Sequence, residues 1–324
     1  MSDLLDAHCR FVVNLMADGQ VVPLLGAGVN LCGRPADGAW EQGKYLPSGS
    51  ELASYLAQYF AYPEEGDRDL VRVSQYAAVM GGEDLLYQQL HDLFDADYPP
   101  TALHRFLARF PGRLRKAGRA VRYPVIITTN YDDALERAFR DEDEPYDVLV
   151  YMATRGEHHG KFVHWPPGEM VPHAIERPNE YLAIPVDLRT GPQQTVIVKL
   201  HGAVDRIDSE RDSYVITEDD YIEYLTRSDV SNLVPKPLAQ KLKRSNFLFL
   251  GYSLRDWNLR VILHRIWGEQ KLSRTSWAIQ LKPEPIEERF WEYRGVKIFE
   301  VSLEDYVVGL EQHMRELEEM GVEL

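Results

Sequence analysis

The sequence predicts an α/β fold: a doubly wound, Rossmann-like parallel sheet with a helical insertion and a smaller loop-rich insertion. Three observations lead there. Compact apolar runs bounded by turn signals recur at Val21–Leu25, Tyr123–Thr128, Thr195–Leu200, Phe247–Leu250, Ser276–Leu281 and Val296–Val301, the pattern of strands buried on both faces. Helical periodicity fills the stretches between them. Four runs also lead into short strings rich in glycine or polar residues, which places those strings together at one end of a parallel sheet, where open α/β sheets bind ligands.

The first string is Gly26-Ala27-Gly28, directly after Val21-Val-Pro-Leu-Leu. An apolar strand entering Gly-Ala-Gly is a way for a sheet to deliver a dinucleotide phosphate to a helix N-terminus, with Gly26 and Gly28 permitting a tight turn and close approach. About 95 residues separate this strand from the next, far more than one crossover needs. Within them Ser50–Phe60, Leu70–Met80, Glu83–Phe94 and Thr101–Phe110 have helical spacing, so residues 34–122 are expected to form a helical insertion. A second insertion, 151–194, is rich in Pro, Gly and His and is expected to form irregular loops or short strands over one end of the sheet. The sheet domain is expected to span 1–302, with a C-terminal helix at 303–324. That helix places Leu303, Val307, Leu310, Met314 and Leu317 on one face. Packing against the chain's own sheet is the simpler use of the stripe, and a subunit contact is the alternative.

With 324 residues and 44% hydrophobic content, the chain can bury a sizeable core. Its formal charge of −15 opposes direct attraction to nucleic acid or anionic membranes. Two cysteines, Cys9 and Cys32, are too few for a disulfide framework or a four-cysteine zinc ribbon, which fits a reducing cytoplasm. No basic leader precedes a long apolar core, and no stretch reaches the roughly 20 apolar residues of a membrane helix. His158, His159, His164 and His173 do not fall at recognisable metal-ligand spacings, so no metal is expected.

In the second string, Thr128-Thr129-Asn130-Tyr131-Asp132, an amide at a strand end can orient a ribose hydroxyl or a water, and a carboxylate two residues on can accept hydrogen bonds from a carboxamide. Helix capping by Thr128 or Asn130, with Asp132 as a favourable first-turn charge, is the competing account. In the third, His201 precedes Gly202. A neutral imidazole at a cleft mouth can take a proton near neutral pH, and the glycine allows close substrate approach. In the fourth, Gly251 gives backbone room and Ser253 offers a hydroxyl to a phosphate or ribose, unless Ser253 or Asp256 caps the next helix.

Taken in order, Gly-Ala-Gly, Thr-x-Asn-x-Asp, His-Gly and Gly-x-Ser-Leu resemble the sirtuin superfamily. Leu103-His104 and Pro124–Asp133 are most similar to the sirtuin-like branch of bacterial antiphage defence. The resemblance implies an NAD-binding sheet with Asn130 and His201 catalytic, Asp132 near nicotinamide, and Gly26, Ala27, Gly28, Gly251 and Ser253 around the dinucleotide. Thr129 stands where deacylating sirtuins carry Gln, and Asn30 where they commonly carry Ser. Arg34 matches the family's arginine-bearing cofactor loop only loosely. His201-Gly202 is followed by Ala-Val-Asp-Arg-Ile-Asp-Ser-Glu-Arg, without the zinc-ribbon cysteines or a peptide-pairing segment. The expected activity is therefore NAD glycohydrolysis to nicotinamide and ADP-ribose, with NAD depletion as the defensive act. The alternative from another class is a sensor that binds NAD or ADP-ribose without turnover, and deacylation is a poorer enzymatic reading. The resemblance further implies a regulated homo-oligomer, with an ATPase of the HerA type, an Argonaute-like protein or a phage component as activator.

Overall fold

The apolar runs form one sheet in the computed structural model, which describes residues 3–35, 38–63, 66, 68–154, 156–184, 186–187, 191–226, 230–252 and 274–322. In chain order the strands are β1 (Val21–Leu25), β2 (Val125–Thr128), β3 (Tyr146–Tyr151), β4 (Phe162–Trp165), β5 (His173–Ala174), β6 (Val186–Asp187), β7 (Gly191–Pro192), β8 (Thr195–Lys199), β9 (Gly202–Ala203), β10 (Ser213–Tyr214), β11 (Asn246–Leu250), β12 (Ser276–Gln280) and β13 (Val296–Glu300). Nine of them pair in the order β13-β12-β11-β1-β2-β8-β3-β4-β5, all parallel from β13 to β3. Every residue of β1, β2, β8 and β11 is buried, which is why these strands are apolar through their middles rather than alternating, with polar residues only at strand ends. β1 lies between β2 and β11, so the chain leaves it in both directions across the sheet, and a crevice opens at its carboxyl end.

All six runs read from the sequence are strands. β3 is an addition: its run begins Tyr146-Asp147, and the buried Asp147 interrupts the apolar signal. That carboxylate is held by His164 at 2.8 Å and Gln194 at 2.8 Å. β4 and β5, within the second insertion, extend the sheet antiparallel beyond β3 and so lie along its edge rather than over its end. Pro23, inside the central strand, supplies no N–H, and pairing with β2 is confined to Leu24 and Leu25.

Helices cover both faces. α1 (Asp3–Ala17), α5 (Ala102–Lys116), α6 (Ala134–Asp141) and the terminal helix Leu303–Val322 bury one face through Val12, Phe106, Phe139 and Leu310, among others. α7 (Glu218–Thr226), the short α8 (Val230–Leu233), α9 (Lys236–Lys243) and the helix Pro285–Tyr293 contribute to the other through Tyr224, Leu233, Leu238 and Trp291. Between β1 and α5, α2 (Gly49–Tyr59), α3 (Leu70–Gly81) and α4 (Glu83–Phe94) build a separate core from Leu56, Val73, Leu86 and Leu90, which reaches back to Tyr131 and Tyr214. The stripe of the terminal helix is covered by its own chain: Leu310 is 1% exposed and Leu317 4%. Arg113 of α5 bonds Glu318 at 2.8 Å, and His313 bonds Asp6 of α1 at 3.0 Å.

Candidate active site

At the end of β1 the chain enters a 3₁₀ turn, Ala27–Leu31, tied to the end of β11 by its own backbone. Gly26 N–H donates to Leu250 O at 3.0 Å, and Gly28 N–H to Gly251 O at 2.8 Å. A Cβ on Gly28 would sit 2.6 Å from that Gly251 oxygen, and Gly251 itself has φ +72°. The glycines therefore allow two strand ends to touch. This corrects the expected reason for them, because the N–H groups of Gly26 and Gly28 are spent inside the protein rather than left for a phosphate. Asn30 donates to Pro47 O at 3.1 Å, while its Oδ1 is buried without a hydrogen-bond partner among the described residues. Ser48, its neighbour, caps α2 in a reciprocal capping box with Glu51.

At the end of β2, Thr128 Oγ1 donates to Leu25 O at 3.1 Å and accepts from Asn130 N at 3.0 Å. This braces the turn so that Asn130 Nδ2 points back to Gly26 O at 3.4 Å. Thr129 Oγ1 lies 2.8 Å from the Tyr252 hydroxyl. Asp132 Oδ1 accepts from Ala134 N at 3.0 Å, so it stabilises the first turn of α6 while also lining the cleft. Burial raises its carboxyl to about 6; Lys199 and the Ala134 N–H pull against that shift, and the negative charges of Glu136 and Asp133 add to it.

His201 follows β8 and is 5% exposed. Its Nδ1 shares a 3.4 Å hydrogen bond with the Tyr221 hydroxyl, and its ring stands edge-on to Tyr221 and Tyr224. Nε2 is buried with no hydrogen-bond partner among the described residues. Burial pushes the imidazole down to about 3, which keeps it neutral at physiological pH. Gly202, at φ +90°, would place a Cβ 1.9 Å from Ser213 O, so this glycine permits the β9–β10 pairing rather than substrate approach.

These strand ends enclose a cleft of about 380 Å³ lined by Ala27, Gly28, Asn30, Thr129, Asn130, Asp132, His201 and Gly251, together with Tyr221 and Tyr252. A second cleft of about 400 Å³ shares Gly28, Gly251 and Tyr252 with it and runs over the ends of β12 and β13. Arg34 is outside both. Its guanidinium bonds Glu51 at 2.5 Å and Leu46 O at 2.6 Å, which places it behind the Pro47–Ser50 wall. Ser253 lies outside the described residues. The sequence reading missed the Pro47–Ser50 wall, although Ser48-x-x-Glu51 is a visible capping-box signature, and it missed Tyr221, for which no local signal exists. Among the described residues, no group of three or more His, Cys, Asp or Glu is placed to hold a metal ion. His159, His164 and His173 instead pair with Glu223, Asp147 and Glu169.

A crevice at the switch point of a mostly parallel sheet, with Asn, Asp and His converging from adjacent strand ends, defines a Rossmann-like α/β protein with a candidate ligand cleft. The chain belongs to the SIR2-like domain family, which it matches over residues 124–299. It is 28% identical to the NAD(+) hydrolase ThsA of Enterococcus faecium over 238 residues, covering 72% of this chain and 40% of that protein. It is 26% identical to the NAD(+) hydrolase ThsA of Bacillus cereus over 221 residues, 68% of this chain and 36% of the relative. Defense-associated sirtuin 2 of Bacillus subtilis is 23% identical over 294 residues, 88% of this chain and 23% of the relative. The chain thus spans two fifths or less of the length of these relatives. No helix among the described residues is long and apolar enough to cross a membrane.

Proposed function

We propose that the chain is an NAD glycohydrolase that cleaves the bond between nicotinamide and ribose. The observation that carries this reading is the buried, unpartnered Nε2 of His201 in the same cleft as Asn130 and Asp132. A buried polar atom without a partner is costly unless a ligand supplies one. The relatives named NAD(+) hydrolase supply the substrate class, and the adjoining cleft over β12 and β13 offers space for the rest of the dinucleotide.

In this scheme Asp132, ionised above its raised pKa, accepts from the nicotinamide carboxamide. Asn130 orients the ribose and the attacking water, and His201 takes a proton from the water or a ribose hydroxyl. The leaving ring is already cationic, so the main tasks are to hold the glycosidic bond in reactive geometry and to stabilise oxocarbenium-like charge. Thr129 fixes Tyr252 over the shared wall, Asn30 and Gly251 shape it, and Arg34 braces it from behind. Ser253 is proposed as a further dinucleotide contact.

Likeness to a defense-associated sirtuin supports a role in antiphage defence through NAD depletion in the cytoplasm. Unrestrained cleavage would drain the cell's own cofactor, so we assign the active state to a homo-oligomer biased by a partner: a HerA-type ATPase, an Argonaute-like protein or a phage component. Incubation of the protein with NAD, alone and with its genetic neighbours, is expected to release nicotinamide, as followed by chromatography. NAD binding with no release in any combination would favour the sensing alternative.

A further inference from the structure

Behind the cleft, a cavity of about 750 Å³ opens between α6, β3, the segment after β4 and the loop after β9. Part of the lining is apolar, made by Val148, Val150, Trp165, Pro166 and Pro167. Another part is ionic, with Asp95, Asp133, Glu136, Glu169 and Asp205 against Arg140, Lys199, Arg206 and Arg211, an excess of one negative charge.

The ionic wall is unevenly satisfied. Every cation has a carboxylate partner: Lys199 with Glu136 at 2.8 Å, Arg206 with Asp95 at 2.9 Å, Arg140 with Asp133 at 2.9 Å and Arg211 with Asp208 at 3.1 Å. One carboxylate oxygen is not so provided: Glu136 Oε2 is buried and accepts no hydrogen bond among the described residues, whereas Asp205 Oδ2 lies 3.6 Å from the Arg211 guanidinium. Glu136 as a whole is only 7% exposed, and its Oε1 is already occupied by Lys199. What this cavity lacks is donors and positive charge. An anionic ligand would have to displace carboxylates from all four cations to be bound, whereas a cation with N–H groups completes the orphaned Glu136 oxygen. The aromatic and proline wall fits a flat ring, which the Trp165 indole can stack against.

We propose that this cavity is a second ligand site, separate from the candidate active cleft, for a small planar aromatic cation of the amidine or aminopyridinium class. Its ring lies along Trp165, and an N–H group donates to Glu136 Oε2. Lys199 stands between the two sites, since its ammonium bonds both Glu136 and the backbone oxygen of Asp132.

The test uses benzamidine as probe, titrated by calorimetry into the full chain without NAD, so that its result does not depend on the proposed hydrolysis. Saturable binding at one site is expected, with neutral benzamide and anionic benzoate each at least about tenfold weaker. Trp165→Ala, at a partly exposed position, is expected to weaken benzamidine at least about tenfold, and Glu136→Gln to do the same where it folds. Absence of saturable binding up to about 10 mM benzamidine overturns the proposal. So does benzoate binding as well as benzamidine, or full affinity in folded Trp165→Ala.

Discussion

Tyr221 meets His201 edge to face with ring centroids 5.4 Å apart, and its hydroxyl lies 3.4 Å from Nδ1. If Nδ1–H donates to Tyr221, Nε2 keeps its lone pair, which is the tautomer a base needs. Tyr221 is then a positioning residue. His201→Ala is expected to lower NAD cleavage by about 10²–10⁴-fold, the usual worth of general acid–base assistance. Tyr221→Phe is expected to lower kcat by about tenfold with little change in KM, because only the orientation of the ring is lost. A fall confined to KM would contradict the assignment.

Asp132 sets the pH dependence of the proposed reaction. Burial raises its carboxyl to about 6, and the ionised form accepts from a carboxamide more strongly than the protonated one, so activity should fall as pH drops through that value. His201 contributes no limb there, since burial holds it near 3. An acid limb near pH 6 in kcat/KM is the expected outcome, absent from the residual activity of Asp132→Asn. A limb that persists in that variant would assign it to another group.

Stability responds to pH with opposite signs at the buried histidines and at Asp132. Burial lowers His201 to about 3, His104 to about 3 and His8 to about 4, with nearby cations adding to the shift at His104 and His8. Below the unfolded value of 6.5 the unfolded chain takes up protons that the folded chain refuses, so these groups cost stability as pH falls through that window. Asp132 works the other way, binding its proton more readily when folded. Replacing His201 by Gln is expected to flatten the loss by up to about 1.4 kcal/mol per pH unit between about pH 4 and 6, measured by urea denaturation. Parallel curves for the two proteins would show that His201 is not held neutral.

Much of the sheet and the cleft was legible because their residues are local in sequence. Four parallel strands buried on both faces are continuous apolar runs, and parallel order brings their ends to one edge. Asn130, Asp132 and His201 follow from that geometry. β3 was hidden by Asp147, whose charge is tolerable only because His164 and Gln194, distant in sequence, hold it. The Pro47–Ser50 wall and Tyr221 depend on how the helical insertion and α7 fold over the sheet, which no local pattern encodes. At Gly26, Gly28 and Gly251 the structure adds a demand with no local signature, the close packing of two strand ends, where an added Cβ would meet backbone atoms of the other strand end.

Leu310 and Val308 separate folding from assembly on the terminal helix. Leu310 is 1% exposed within the core shared with α1 and α5, whereas Val308 is 63% exposed. Leu310→Glu buries an unpaired charge and is expected to cost at least about 3 kcal/mol by chemical denaturation. Val308→Glu is expected to stay within about 0.5 kcal/mol of the parent. It is therefore the variant with which to ask, by light scattering, whether this helix joins subunits. Oligomer dissociation without loss of stability would place Val308 at the contact.

Gly251 carries two separable demands, and a second glycine isolates one of them. At φ +72°, a Cβ on Gly251 would lie 2.3 Å from Val29 N and 2.8 Å from Gly28 C, both backbone atoms that no side-chain rotation can move. Gly118 has a similar φ of +65° at the end of α5, and a Cβ there would meet nothing within 4 Å. Gly118→Ala should therefore cost only the left-handed strain, about 1–2 kcal/mol, and leave NAD cleavage unchanged. Gly251→Ala must also push the Gly26–Val29 turn away from β11, so it should destabilise more and raise the KM for NAD at least about tenfold. Denaturation curves and steady-state kinetics on the two variants give the comparison. Equal stability losses with equal KM values would mean that contact between the two strand ends does not shape the cleft.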